Sequence, residues 1–233
     1  MAEEDFDVHS LATYLRLTPA QVEKMAGRDQ LPGRRIGGQW RFSKQEIHLW
    51  FEEKIGASDE LELAKVEKVL KSDPANYDFL VGEIFEPSAI WIPLAARTRT
   101  SVISMMCQNA ADAGLVWDPQ KMEAAIKSRE KLHTTALGNG VALLHPRRPQ
   151  VANIAQAFLG LGITSSGLPF GGPRGVMTDV FFLIISDSEP GHLQTLARLS
   201  RLIAVVGFVD DLRNCDSTMA AIDLIKQTEQ QIV

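Results

Sequence analysis

The sequence predicts an α/β or mixed α+β protein, preceded by a small helical module with a hairpin. Three observations predict it. Apolar, β-competent runs alternate with capped amphipathic helices from residue 89 onward. The first 56 residues instead read as helix, turn, helix, hairpin, helix. Charge texture also changes: Arg28 to Lys44 holds five basic residues and one acid, whereas Glu52 to Lys71 mixes both signs in helix-favouring order and leads into Ser72-Asp73-Pro74, a turn or linker signal. The expected organisation is a small domain over 1–56, a helical connector over 57–75 and a larger domain over 76–233.

In the small domain, Val8, Leu11, Ala12 and Leu15 recur at i, i+3, i+4 and i+7, so Asp7 to Leu15 is an amphipathic helix. Thr18-Pro19 supplies an N-cap and a first-turn proline for a second helix through Met25, which Leu31-Pro32-Gly33 terminates. Gly37-Gly38 joins Arg34-Arg35-Ile36 to Gln39-Trp40-Arg41-Phe42 in a two-residue hairpin. Ser43 and Glu46 form a capping box for a helix carrying Ile47, Trp50 and Phe51. In the larger domain, strands are expected over Ala89–Leu94, Val141–Leu144, Asn153–Leu161 and Asp179–Ile185. Helices are expected over Thr100–Ala113, ended by Gly114, from Asp118-Pro119 to about Lys131, over Gly191–Val206 and over Ser217–Gln230.

Composition narrows the function. The 233 residues carry 24 Lys+Arg against 29 Asp+Glu, a net charge of −5, which excludes a uniformly basic nucleic-acid coat but allows a local basic patch. The opening MAEED has no basic region followed by an apolar run, so no secretory signal is expected. The longest apolar run, Val180 to Ile185, is far short of the ~20 residues of a spanning helix, so no membrane insertion is expected. Two cysteines, Cys107 and Cys215, make neither a disulfide framework nor a four-cysteine metal site; they read as small thiols of a cytoplasmic protein, with no metal or cofactor implied.

The stretch richest in chemistry runs from Arg129 to Arg147: a helix ends at Arg129-Glu130-Lys131-Leu132, Thr134 and Thr135 follow, and Gly138-Asn139-Gly140 leads into a strand that ends on His145. Glycines admit backbone N–H groups to an anion, threonine hydroxyls add donors, and a neutral imidazole is a nucleophile near pH 7 because its unperturbed pKa is about 6.5. From spacing alone a structural histidine and an ordinary Gly-Asn-Gly turn remain open as readings. Pro169–Gly175 (PFGGPRG) is Gly-rich but lacks the Lys-Ser/Thr of a nucleotide loop, and reads as a surface loop.

These residues resemble the active-histidine signature of the phosphotransferase-system enzyme IIA proteins of the fructose/mannitol and nitrogen-regulatory type. REKL, the threonines, GNGVAL and His145 match it in order and spacing, and Gly191-His192-Leu193-Gln194-Thr195-Leu196-Ala197-Arg198-Leu199-Ser200-Arg201-Leu202 matches a second family pattern. The resemblance covers about residues 80–210. It implies a mixed α/β fold, an enzyme-IIA-like mixed sheet flanked by helices, and a phosphocarrier: His145 accepts a phosphoryl group from an HPr-like phosphodonor protein, His192 lies near the phosphorylated ring, and Arg129 supplies positive charge. Thr134, Thr135, Gly138, Asn139 and Gly140 are expected as support for the phosphate. The chain departs from the family at Leu144, where a proline is usual, and at Pro146, which removes an N–H donor. Arg147 and Arg148 add positive charge there, or stand as solvated side chains.

Residues 6–55 resemble the excisionase/MerR-like winged helix-turn-helix, through Leu31-Pro32-Gly33, Gly37-Gly38, Trp40-Arg41-Phe42-Ser43-Lys44 and Glu46-Ile47. The resemblance implies that Pro19–Met25 enters the major groove and that the hairpin touches the backbone. Gln21 and Lys24 are the expected base readers, and Arg28, Arg34, Arg35, Arg41 and Lys44 the expected phosphate contacts. Glu23 would repel phosphate, and a protein-interaction role for this module stands as the other reading. Trp40, Phe42, Trp50 and Phe51 read as its core. The Glu60–Lys71 helix could make a homodimer. The whole is read as a bacterial regulator joining a phosphocarrier to a DNA-binding module. The alternatives are a sugar-transport component relaying phosphate to a IIB partner, and a degenerate fold that only binds.

Overall fold

The computed structural model describes residues 5–15, 17–57 and 80–232. The chain forms two compact units, one on each side of the 76–77 peptide. The expected connector, with its Glu60–Lys71 helix, lies outside the described residues.

The first unit follows the expected order: α1 (Val8–Leu15), α2 (Pro19–Ala26), β1 (Arg34–Ile36), β2 (Gln39–Arg41) and α3 (Lys44–Ala57). Thr18 caps α2 in a full capping box with Gln21. Gly37 and Gly38 turn the hairpin at φ of 60° and 81°, a region that only glycine enters without strain. The apolar stripes meet in a core of Leu11, Leu15, Val22, Phe42, Ile47 and Phe51. Of the four aromatics expected there, Phe42 and Phe51 are buried, while Trp40 and Trp50 are half-buried.

The second unit consists of α4 (Val81–Ile84), β3 (Phe85–Trp91), α5 (Arg99–Asp112), α6 (Pro119–Leu132), β4 (Val141–Leu144), β5 (Phe158–Leu168), β6 (Thr178–Ile185), α7 (Glu189–Ala204), α8 (Phe208–Arg213) and α9 (Thr218–Ile232). The sheet order is β3-β5-β6-β4, with β3 parallel to β5, β5 antiparallel to β6 and β6 parallel to β4. Strand β6 is buried at all but one position, as a strand covered on both faces must be. Phe181, Leu183 and Ile185 pack with α5 and α6 through Val102, Met106, Cys107, Met122 and Ile126. Helices α7 and α9 lie against β6 and β3 respectively.

Three expectations shift. Strand β3 begins at Phe85, four residues before the expected Ala89. The strand expected from Asn153 begins at Phe158 and runs to Leu168. Val151–Asn153 is a 3-10 turn, and the Asn153 side chain instead takes the Asp118 N–H at 2.7 Å and donates to the Asp118 carbonyl at 2.9 Å. Strand β5 extends through Gly160, Gly162 and Gly167 because it has a partner on each side; a Cβ on Gly162 would stand 2.8 Å from Leu94 Cδ2. Helix α8, entered through Gly207 at φ 86°, was not expected.

Candidate active site

The parallel pairing of β4 with β6 puts Leu144 opposite Leu183, so His145 emerges beside the end of β6 and the loop into α7. The first turn of α7 carries His192, 47 positions away in sequence. The two rings lie 4.9 Å apart between centroids, inclined at 52°. This is the carboxyl edge of two parallel strands, where α/β folds collect ligands.

Both nitrogens of His145 are held. Nδ1 lies 2.8 Å from the Leu143 carbonyl, which can only accept, so Nδ1 carries the proton. Nε2 then bears the lone pair, and it accepts a hydrogen bond of 3.1 Å from Arg129 Nε. The resulting Nδ1–H tautomer aims its nucleophilic nitrogen at a guanidinium. Arg129 reaches this position from the last turn of α6, and its Nη1 donates to the His133 carbonyl at 3.0 Å. The three groups are nearly sealed: His145 is 2 % exposed, Arg129 4 % and His192 7 %. Ser186 Oγ, at the end of β6, lies 3.4 Å from His192 Nδ1. No pattern in the chain pointed to Ser186 or to the Leu143 carbonyl, since both act only through the strand ends.

The expected phosphate supports divide between the two ends of β4. Residues 135–137 fold back on β4: Leu137 N–H donates to Val141, Leu143 N–H donates to Thr135, and Ala136 pairs with Ala142. Gly138-Asn139-Gly140 is thus the tip of a small hairpin, five residues from His145, or about 16 Å along a strand. It is fastened at the far end instead, where Arg213 binds the Asn139 carbonyl at 2.8 Å and the Asp179 carboxylate in a fork at 2.8 and 2.9 Å. Thr134 and Thr135 lie on the His145 side, but their hydroxyls donate elsewhere, to the Phe170 carbonyl at 3.2 Å and to Glu130 Oε2 at 2.6 Å. In this structure Thr134, Thr135 and Asn139 are engaged in these packing contacts.

Glu130 holds this corner together. Its buried carboxylate also takes the Thr135 N–H at 3.0 Å and Arg99 Nη2 at 2.8 Å, joining the start of α5 to the end of α6. Arg99 in turn lies over the Phe170 ring at 5.2 Å. Arg129 and Glu130 thus divide the last turn of α6, the cation towards His145 and the anion towards the packing behind it.

A family described as "Phosphoenolpyruvate-dependent sugar phosphotransferase system, EIIA 2" matches residues 83–228. The chain belongs to this family. The fructose-specific EIIABC component of the phosphotransferase system from Bacillus subtilis is 28 % identical over 152 residues, 64 % of this chain and 24 % of that protein, so the chain spans about a quarter of that relative's length. The nitrogen regulatory protein of Bradyrhizobium diazoefficiens is 29 % identical over 125 residues, 53 % of this chain and 79 % of that one. Among solved structures, nitrogen regulatory protein IIA-Ntr from Neisseria meningitidis superposes with a TM-score of 0.56 at 20 % identity, over 62 % of this chain and 98 % of that one. IIA mannitol from Escherichia coli gives 0.54 at 19 %, over 60 % and 98 %. At such identities these two structures show the shared enzyme IIA fold. A helix-turn-helix domain family matches residues 7–55.

In the helix-turn-helix unit the expected contacts meet different fates. Gln21 Oε1 is occupied in the capping box, accepting from Thr18 N at 2.8 Å and Thr18 Oγ1 at 3.0 Å, so the expected base reader is first a helix cap. Lys24 and Arg28 are exposed. Arg34 pairs with Asp5 at 2.7 Å, Arg35 lies 4.9 Å over the Trp40 ring, and Lys44 lies 5.6 Å over Phe6. Arg41 donates to the Trp40 carbonyl and to Gln39 Oε1, at 3.2 and 3.3 Å. The wing thus holds its arginines in order on its own aromatic and polar groups. Among the described residues no cluster of three or more His, Cys, Asp or Glu is placed to hold a metal ion, and no helix is long and apolar enough to cross a membrane.

Proposed function

We propose that this chain is a cytoplasmic phosphocarrier of the nitrogen-regulatory kind, in which His145 takes a phosphoryl group from an HPr-like donor and the N-terminal module binds DNA. The observation that carries the reading is the His145 ring, with Nδ1–H on the Leu143 carbonyl and the Nε2 lone pair facing Arg129. In the transfer, Nε2 attacks phosphorus, the donor's N–P bond breaks, and the donor nitrogen recovers the electron pair. The His145 ring gains positive character as its N–P bond forms, and the Leu143 carbonyl stabilises it through Nδ1–H. Arg129 moves its Nε–H from the lone pair to a phosphoryl oxygen, and the neighbouring His192 ring borders the same group. Cationic donors around spread negative charge are the main means of catalysis in phosphoryl transfer.

In this reading residues 1–56 form the DNA-binding module, 57–75 the connector and 76–233 the carrier. A phosphoryl group adds roughly −1.5 to −2 charges near pH 7, by analogy with other phosphorylated side chains, and so alters the field that DNA meets. Similarity to a fructose-specific component favours one second reading, relay of the phosphoryl group to a IIB partner.

The test is intact-mass and acid-labile phosphate analysis after incubation with phosphoenolpyruvate, enzyme I and HPr. One phosphoryl group on the wild type and none on His145→Ala is expected, with slower labelling of His192→Ala. Equal labelling of His145→Ala would overturn the assignment. DNA affinity unchanged by stoichiometric phosphorylation would remove the coupling, and onward transfer to a IIB protein would favour the second reading.

A further inference from the structure

The two histidines of the site are oriented by groups of different kinds. Near the end of β4, the Leu143 carbonyl only accepts, so it holds His145 as the Nδ1–H tautomer. The group beside His192 is a hydroxyl. Ser186 directly follows β6, and its Oγ lies 3.4 Å from His192 Nδ1. A hydroxyl donates to a ring nitrogen as readily as it accepts from one, so it can hold the tautomer that a carbonyl cannot. The His192 backbone is anchored in the first turn of α7, where its N–H donates to the Ser188 carbonyl at 3.0 Å. Ser186 and His192 are 6 % and 7 % exposed, so their contact lies in a low-dielectric setting where hydrogen bonds are stronger.

We infer that Ser186 is a positioning residue: its hydroxyl donates to His192 Nδ1, keeps the ring proton on Nε2 and gives His192 the tautomer opposite to that of His145. The inference rests on the phosphocarrier reading and adds a residue to it. Phosphoryl chemistry selects this direction of the hydrogen bond, because phosphoryl oxygens only accept. The His192 ring lies 4.9 Å from that of His145 between centroids. A lone pair turned from it towards a phosphoryl group on His145 would repel the oxygens, whereas an N–H stabilises their charge. The two nitrogens lie on opposite sides of an imidazole, so a donor at Nδ1 leaves the Nε2–H directed away from Ser186. One ring then offers a lone pair to phosphorus and the other a proton to its oxygens. The 3.4 Å separation is long for a hydrogen bond, as such contacts often are before the reacting group is in place. A hydrogen bond of ordinary strength biases the ratio of tautomers by about tenfold.

The test uses the full chain, isotope-labelled at the histidine nitrogens, and the variants Ser186→Ala and Ser186→Thr. Long-range proton–nitrogen spectra at pH 8 distinguish a protonated ring nitrogen from one bearing a lone pair. His192 Nδ1 is expected to bear the lone pair in the wild type and in Ser186→Thr. In Ser186→Ala the Nδ1–H form should gain about tenfold relative to the Nε2–H form. His145 should keep its Nδ1–H signature throughout, which checks that the site is folded. Single-turnover labelling by phosphorylated HPr at saturating donor should slow about tenfold in Ser186→Ala, with the half-saturating donor concentration unchanged, and recover in Ser186→Thr. A wild-type His192 with its proton on Nδ1, or a tautomer unmoved in Ser186→Ala, overturns the inference. So does a displaced tautomer with labelling within about twofold of wild type. Absence of labelling in every form, with the wild-type proton on Nε2, instead overturns the phosphocarrier reading and leaves the tautomer assignment standing.

Discussion

Glu229 is 1 % exposed, yet it faces a cluster of charge and backbone donors. Its carboxylate takes the N–H groups of Val81 at 2.7 Å and Gly82 at 2.8 Å, and lies 3.5 Å from Arg198, itself 2 % exposed. It therefore ties the first turn of α4 to both α7 and α9. Replacing it with alanine removes the anion facing a buried guanidinium, at a cost of about 3–5 kcal/mol. It also takes the acceptor from two amides, each worth roughly 1 kcal/mol net, with partial overlap between the two effects. A loss of about 5 kcal/mol is expected, a large part of the ~5–15 kcal/mol that holds a domain folded. For a unit of this size that lowers the melting temperature by roughly 10–20 °C. Glu229→Gln keeps an oxygen for one amide, so it should fall between alanine and wild type. Adding Arg198→Met to Glu229→Gln should restore part of the loss, because the buried charge leaves with its partner. Hydrogen exchange of the β6 amides reads the opening free energy of this unit without interference from the helix-turn-helix unit. An alanine variant within about 1 kcal/mol of wild type would refute the reasoning that this carboxylate anchors the unit.

Arg129→Lys keeps the charge but cannot serve both His145 Nε2 and the His133 carbonyl; phosphotransfer should slow by about tenfold or more, and single-turnover labelling within about threefold of wild type would count against the role. Gly140 sits at φ 84° with Arg213 Nη2 where a Cβ would stand, so Gly140→Ala should destabilise by roughly 2 kcal/mol yet leave His145 labelling unchanged at temperatures where the variant is folded. Burial pushes the Cys107 thiol up to about 12, and burial also raises Cys215, which is only half-buried. Timed alkylation at pH 8 should modify Cys215 first and Cys107 only as fast as the unit opens. Hydrogen bonds from Ser10 hold the Asp7 carboxyl below its usual range. The α1 cap is therefore fully formed above the ordinary aspartate value and lost as pH falls through the lowered one. The Ser10 amide should lose exchange protection over that acid window and at all pH values in Asp7→Ala.

Local chemistry explains what was legible in the sequence. The Thr18 cap of α2, the Gly37-Gly38 turn and the Asp118 cap of α6 each bind neighbours within four residues, so their signals are complete in short segments. Strands β4 and β6 were legible because burial on both faces demands unbroken apolar runs. Strand β5 was displaced in the reading because its glycines carry weak strand propensity, and only pairing with β3 and β6 holds them extended.

The site divides in the same way. His145, His192 and Arg129 could be singled out from the chain through family resemblance. Their meeting could not be read from spacing, because 47 residues separate the two histidines and the parallel register of β4 with β6 brings them within 4.9 Å between ring centroids. The place of the Gly-Asn-Gly turn could not be read from spacing for the complementary reason. Adjacent in sequence to the histidine's strand, it is carried to the opposite end of that strand by an extended backbone. The sequence by itself determined the two-part organisation, the helix caps and the kinds of side chain available for phosphoryl chemistry. Tertiary structure alone decided which of them share a site and that the His192 ring and the Arg129 guanidinium face His145, because those depend on groups that only the sheet register and helix packing bring into contact.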